Sequence, residues 1–181
     1  MITEILLSGF GGQGIMSLGK ALASVALKEG KYPIYFPSYG AEVRGGTAYC
    51  FVKISEAFIA SPLIENPDIA IILNQPALDK FEKGLKKRCL VIANSDLITR
   101  APARKDIQMV CAPLNAMALE CGNAKVANTV ALGILIALKP ELLKKETILE
   151  FLNEAFISGE LLTQNIKAFN KGMEYVNAAK G

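Results

Sequence analysis

Near its start the chain passes from an apolar run through Gly9-Phe10-Gly11-Gly12-Gln13-Gly14 into a helical repeat, and this junction constrains the fold more than any other feature. Residues 2–8 read as a short buried strand ended by glycines. Residues 15–29 place Ile15, Leu18, Leu22 and Val25 on one helical face, and Gly30 stops the helix. Residues 32–36 form a second strand. A strand, a tight turn, a helix and a strand in this order make a crossover unit, so the two strands run parallel.

The rest of the chain extends that start. Residues 37–46 are a loop, 47–54 a strand, and 57–60 a short strand beside it. Further strands fall at 68–73, 89–93 and 107–111, with a helix over 77–86. Helices at 114–121 and 126–138 follow, the second ended by Pro140. Two amphipathic helices over 145–156 and 161–178 close the chain, with Gly159 between them. Strands alternating with helices, then helices alone, predict an α/β, Rossmann-like three-layer domain with a mostly parallel sheet and C-terminal helices. No repeat or linker divides it, so residues 1–181 are read as a single domain.

Composition narrows the chemistry. The chain has no histidine, which removes the commonest general base and metal ligand. Its formal charge of +3 shows no basic face of the kind nucleic acid demands. The four cysteines, Cys50, Cys89, Cys111 and Cys121, have no C-x-x-C or cluster spacing, so no metal site is expected. Cys50, Cys89 and Cys111 lie in apolar runs and are read as small hydrophobes in a reducing cytoplasm. The longest apolar stretch, 126–138, falls short of the about 20 residues a membrane span needs. A cytoplasmic protein with no membrane or nucleic-acid partner is the expectation.

Two loops carry the candidate chemistry. The first satisfies G-x-G-x-x-G between a strand and a helix, where bare backbone and a helix N-terminus favour an anion. A dinucleotide site also wants an acidic residue about 20 positions on. Here the second strand ends Tyr35-Phe36-Pro37-Ser38 instead. The motif therefore stands open between a packing turn and an anion or cofactor contact of another kind. The second loop, Ser38-Tyr39-Gly40-Ala41-Glu42-Val43-Arg44-Gly45-Gly46, leaves the same carboxyl edge of the sheet. Arg44 has the fork geometry for a carboxylate or phosphate, and Gly45-Gly46 lets backbone pass close to a ligand or neighbour.

These two segments, with Pro67-Asp68-Ile69-Ala70-Ile71-Ile72-Leu73-Asn74-Gln75-Pro76 and Ala127-Asn128-Thr129-Val130-Ala131-Leu132-Gly133, resemble the gamma family of 2-oxoacid:ferredoxin oxidoreductases. The forms of the two loops look most like the 2-oxoglutarate branch. The resemblance implies a complex that decarboxylates a 2-oxoacid on thiamine diphosphate and magnesium, passes electrons through iron–sulfur clusters to ferredoxin, and forms an acyl-CoA. Alpha and beta subunits and a ferredoxin-like cluster subunit would be its partners. The gamma chain would help bind coenzyme A and assemble the complex, with no catalytic residue of its own. It carries no thiamine-type G-D-G…N segment. Matched residue by residue, the cofactor-binding candidates are Gly11, Gly12, Gln13 and Gly14 in the first loop and Tyr39, Gly40, Glu42, Arg44 and Gly45 in the second. Asn128 and Thr129 join them, as helix cap or cleft lining. The rival expectation is a free-standing nucleotide- or flavin-binding Rossmann-like protein.

Overall fold

A computed structural model of the chain describes residues 2–38, 47–61, 63–157 and 159–178. The chain divides into two compact units, residues 1–113 and 114–181.

The first unit is a six-stranded sheet with strand order β2-β3-β1-β4-β5-β6. Its strands are β1 (Ile2–Phe10), β2 (Tyr32–Ser38), β3 (Thr47–Ser55), β4 (Ile69–Ile72), β5 (Leu90–Asn94) and β6 (Gln108–Ala112). β1, β4, β5 and β6 pair in parallel, whereas β3 is antiparallel to both β1 and β2. The expected parallel direction of β1 and β2 holds, but they are not neighbours, because β3 is inserted between them. β4 and β5 are buried at every position, the pattern of parallel strands covered on both faces. Pro33 and Pro37 fall at alternate positions of the outer strand β2. A proline without an N–H cannot donate to β3, so these positions face the open edge and blunt it against further strand addition.

Helix α1 (Ile15–Lys28) lies against β2 and β3. Gly19 permits this: a Cβ there would stand 2.6 Å from Cys50 Sγ and 2.7 Å from Tyr35 Cε2. On the other face, α2 (Gln75–Phe81) contributes Ala77 and Leu78 to a cluster with Leu6, Ile72, Val91 and Ala93. Burial of this kind is worth roughly 25 cal/mol per Å² of apolar surface. Two expectations fail here. Residues 57–60 form no strand, since β1 and β2 already occupy both edges of β3. Cys111 is exposed on β6 rather than buried, because β6 is the outermost strand.

The second unit holds α3 (Leu114–Glu120), α4 (Ala127–Leu138), α5 (Lys145–Ala155) and α6 (Gly159–Ala178). Gly159, expected between helices, is the first residue of α6. The central contact is α4 on α6. A Cβ at Gly133 would drive into the Phe169 carbonyl, and one at Gly172 into the Val130 carbonyl. The two backbones touch because neither has a side chain at the crossing. One turn earlier, Thr129 Oγ1 donates to Asn165 Oδ1 at 2.7 Å within the same buried seam.

Gly133→Ala or Gly172→Ala should therefore destabilise the chain by about 3 kcal/mol, since a methyl cannot enter a backbone contact without parting the helices. Gly84, whose Cβ would meet nothing, should accept alanine with no loss. Urea midpoints of the three variants check both statements.

Candidate functional site

The first glycine loop joins β1 to α1, and its glycines answer different demands. The Gln13 N–H donates back to the Phe10 carbonyl at 3.2 Å and closes the turn. Gly12 and Gly14 have φ of 95° and 73°, the left-handed region glycine favours. Gly9 is tightly enclosed: a Cβ there would meet Leu73 Cβ at 3.1 Å and would have to displace the Gln13 amide oxygen at 2.5 Å. Gly11 is required by neither. It is exposed, its φ is not left-handed, and a Cβ there would meet nothing within 4 Å. Helix α1 then begins with Gly14 as an N-cap that has no side chain to offer, and no acidic residue in its first turn. The first intrahelical bond runs from Leu18 N–H to the Gly14 carbonyl at 2.9 Å, and the helix start carries the partial positive charge of its free N–H groups.

Carboxamides brace this edge. Gln13 Oε1 accepts from the Phe10 N–H at 2.6 Å and from Asn74 Nδ2 at 3.2 Å. Asn74, only 1% exposed, also caps α2 by accepting from the Ala77 N–H at 2.9 Å. Gln75 Oε1 accepts from the backbone N–H groups of Thr99 and Arg100 at 3.1 and 2.9 Å, while its Nε2 donates to Asp79 at 2.7 Å. The Gln75 amide and then the Arg100 guanidinium hold the Asp79 carboxyl below its ordinary value. Asn94 Nδ2 donates to the Leu73 carbonyl at 3.2 Å from a fully buried position. One carboxyl edge thus joins the ends of β1, β4 and β5 through side-chain amides.

The second loop leaves and re-enters the sheet at this same edge. Ser38, the last residue of β2, pairs with Tyr49, and Thr47, the first of β3, pairs with Phe10 at the mouth of the first loop. Tyr39, Gly40, Glu42, Arg44 and Gly45 themselves lie outside the described residues. Asn128 and Thr129 belong to the second unit. Asn128 Oδ1 accepts from the Thr129 N–H at 2.9 Å in the first turn of α4, whose N-cap position is Val126. Thr129 has its hydroxyl proton committed to Asn165. Asn74 and Gln75, at the end of a strand on the carboxyl edge, read from the sequence equally as groups that reach a ligand or as a plain turn before Pro76, and Asn94 was not a candidate. Asn74 had a usable signal, an Asn two residues before a proline at a strand end, which is an N-cap signature. Asn94 had none, since a polar residue ending an apolar run reads equally well as a turn.

No group of three acidic or thiol side chains able to hold a metal occurs among the described residues. Burial pushes the Cys50 and Cys89 thiols up to about 12, so neither is a nucleophile at neutral pH. No helix among the described residues is long and apolar enough to cross a membrane. A cavity of about 540 Å³ lies at the opposite edge, beside the Glu4–Lys53 ion pair of 2.9 Å. Lys53 there is already satisfied by Glu4 and by the Ser61 carbonyl at 3.1 Å.

A glycine loop at the carboxyl edge of an α/β sheet stands where open α/β folds bind their ligands. The match to known proteins is more specific. Residues 4–175 fit the family described as pyruvate ferredoxin/flavodoxin oxidoreductase, and the chain belongs to that family. The 2-oxoglutarate synthase subunit KorC of Methanocaldococcus jannaschii is 36% identical over 96% of this chain and 94% of its own. The pyruvate/ketoisovalerate oxidoreductases common subunit gamma of Thermococcus kodakarensis is 34% identical over 95% of this chain and 98% of its own. Ketoisovalerate oxidoreductase subunit VorA of Methanothermobacter thermautotrophicus is 34% identical, but this chain spans only 36% of its length. Among solved structures, the gamma subunit of a keto/oxoacid ferredoxin oxidoreductase from Geobacter sulfurreducens superimposes with a TM-score of 0.85 at 32% identity, covering 97% of this chain and 99% of that one. The 2-oxoglutarate:ferredoxin oxidoreductase of Magnetococcus marinus, with 2-oxoglutarate, coenzyme A and succinyl-CoA bound, gives 0.88 at 25% identity, covering 98% of this chain and 31% of that one.

The two kinds of glycine in the loop separate by stability. Gly12→Ala should cost about 2 kcal/mol, the strain of an alanine held at left-handed φ. Gly11→Ala should cost nothing measurable in the isolated chain. Denaturant midpoints of the pair test the assignment.

Proposed function

We propose that this chain is the gamma-type subunit of a thiamine-dependent, CoA-acylating 2-oxoacid:ferredoxin oxidoreductase, and that 2-oxoglutarate is its oxoacid. Both units act together as one gamma-type domain. The observation that carries the reading is Gly11. Its bare backbone is demanded by nothing in the described chain, and it sits between β1 and the start of α1, whose N-cap is a glycine. Backbone kept clear beside a helix N-terminus suits an anionic group, and coenzyme A presents phosphates of that kind. The match to KorC over nearly the full length of both chains supports 2-oxoglutarate.

In this reading Gly11, Gly12, Gln13 and Gly14 hold the anionic part of coenzyme A. Arg44 of the second loop pairs with a further charge, and Glu42 orients Arg44 or a partner group. Tyr39, Gly40 and Gly45 shape that loop, and Asn128 and Thr129, at the start of α4 in the second unit, are the remaining cofactor-binding candidates. Coenzyme A supplies the thiol that takes up the acyl group. Thiamine diphosphate, magnesium and the iron–sulfur clusters belong to the alpha, beta and ferredoxin-like subunits, and ferredoxin accepts the electrons. This chain binds, orients and helps assemble.

The test is purification of the tagged chain from its native cell, followed by dye reduction with 2-oxoglutarate, pyruvate or 2-oxoisovalerate, with and without coenzyme A. Co-purification of a thiamine-dependent subunit pair and CoA-dependent reduction driven best by 2-oxoglutarate is expected. Arg44→Ala should then raise the KM for coenzyme A about tenfold, the weight of one charge-assisted contact, with assembly intact. Recovery of the chain alone with a bound nucleotide or flavin would establish the free-standing binding protein instead.

A further inference from the structure

The Gln13 carboxamide has a fixed orientation. A backbone N–H can only donate, so the Gln13 atom 2.6 Å from the Phe10 nitrogen is oxygen. Asn74 reinforces this. Its Oδ1 is taken by the Ala77 N–H, so its other end, Nδ2, faces Gln13 Oε1 at 3.2 Å. Both contacts to Gln13 end on one oxygen. Nε2 of this half-buried side chain has no partner among the described residues. A glutamate would satisfy both donors more strongly, because a carboxylate accepts charge-assisted bonds. The neutral amide differs only at the other end, where it has a donor and glutamate would have negative charge.

We propose that Asn74 is a positioning residue of the glycine loop. Together with the Phe10 N–H it orients the Gln13 amide so that Nε2 is presented as a donor to an anionic group seated at Gly11–Gly14. The inference rests on the reading that this loop meets coenzyme A, and it adds which atom of Gln13 faces the ligand, what sets it, and why the residue is not acidic. It also assigns Asn74 two tasks in one side chain, capping α2 with the oxygen and fixing the ligand loop with the nitrogen.

Two substitutions isolate the nitrogen and the charge. Asn74→Asp keeps the cap, at which Asp serves as well as Asn, but removes the donor to Gln13. Either Oε1 then faces a carboxylate, or the Gln13 amide turns over and strands the Phe10 N–H. Gln13→Glu keeps both bonds and changes only the outward atom. In the assembled enzyme, Asn74→Asp should raise the KM for coenzyme A about fivefold, the weight of one hydrogen bond. Gln13→Glu should raise it about tenfold or more through like charge, with the increase shrinking as salt is added. The KM for the 2-oxoacid and the melting temperature should hold in both. Gly11→Val, which obstructs the backbone itself, separates the two levels of inference. If Gly11→Val raises the KM for coenzyme A and the other two do not, the loop binds coenzyme A and the Asn74–Gln13 proposal falls alone. If none of the three moves it, the reading of the loop falls and takes the proposal with it. Loss of the fold in both Asn74→Asp and Gln13→Glu would show the pair to be structural and overturn the proposal.

Discussion

Where several strands end at one edge, their last N–H and carbonyl groups lose their ladder partners, and each must find another or pay for desolvation. This chain meets that constraint with carboxamides. Gln13 takes the Phe10 N–H, Asn74 takes the first turn of α2, Gln75 takes two N–H groups of the loop after β5, and Asn94 takes the Leu73 carbonyl. An amide carries a donor and an acceptor without charge, so it can hold two loops at once and leave the field at the edge to the helix. Acidic braces would hold the same N–H groups, but they would repel any anion brought to the start of α1.

The inserted antiparallel strand is what brings Ser38 and Thr47, which flank the second glycine segment, to the edge where the first glycine loop leaves β1. In a plain crossover, β2 would lie next to β1 and the chain would continue away from the first loop. Because β3 returns between them, the segment after β2 must re-enter the sheet opposite Phe10. The register is held by the alternate buried apolar residues Cys50, Val52 and Ile54 on one face of β3. A slip by one residue would turn that apolar set to the other face. Lys53 is tolerated inside because Glu4 lies directly across from it and the Ser61 carbonyl takes a second proton.

Periodicity and punctuation made most of the elements readable before the structure. β1, α1, β4 and the helices of the second unit fall within a few residues of expectation. What was not readable depends on partners distant in sequence. Nothing in residues 47–55 says that the strand runs antiparallel, because a short apolar strand looks the same in either direction. The strand expected at 57–60 had the right composition and no free edge to join. Cys111 has an apolar context in sequence, yet it lies on the outermost strand, where one side is open. Gln13 was legible as a site residue from its motif, but the use of its two ends was not, because Asn74 is separated from it by most of the first unit.

The glycines show how function can be told from folding in such a chain. Gly133 and Gly172 are explained by each other, Gly19 by the Cys50 thiol and the Tyr35 ring, Gly9 by the close approach of Leu73 and the Gln13 amide, and Gly12 and Gly14 by their backbone angles. Each of these would be chosen to build the fold whatever the chain does. Gly11 has no such account within the described residues, and it carries the entropic cost that any glycine brings to folding. Gly84 meets nothing either, so what sets Gly11 apart is its place, at the carboxyl edge between β1 and the start of α1. Beside the start of α1 and an amide whose Nε2 has no partner among the described residues, the reason proposed above is a group that must approach the backbone closely and bear negative charge.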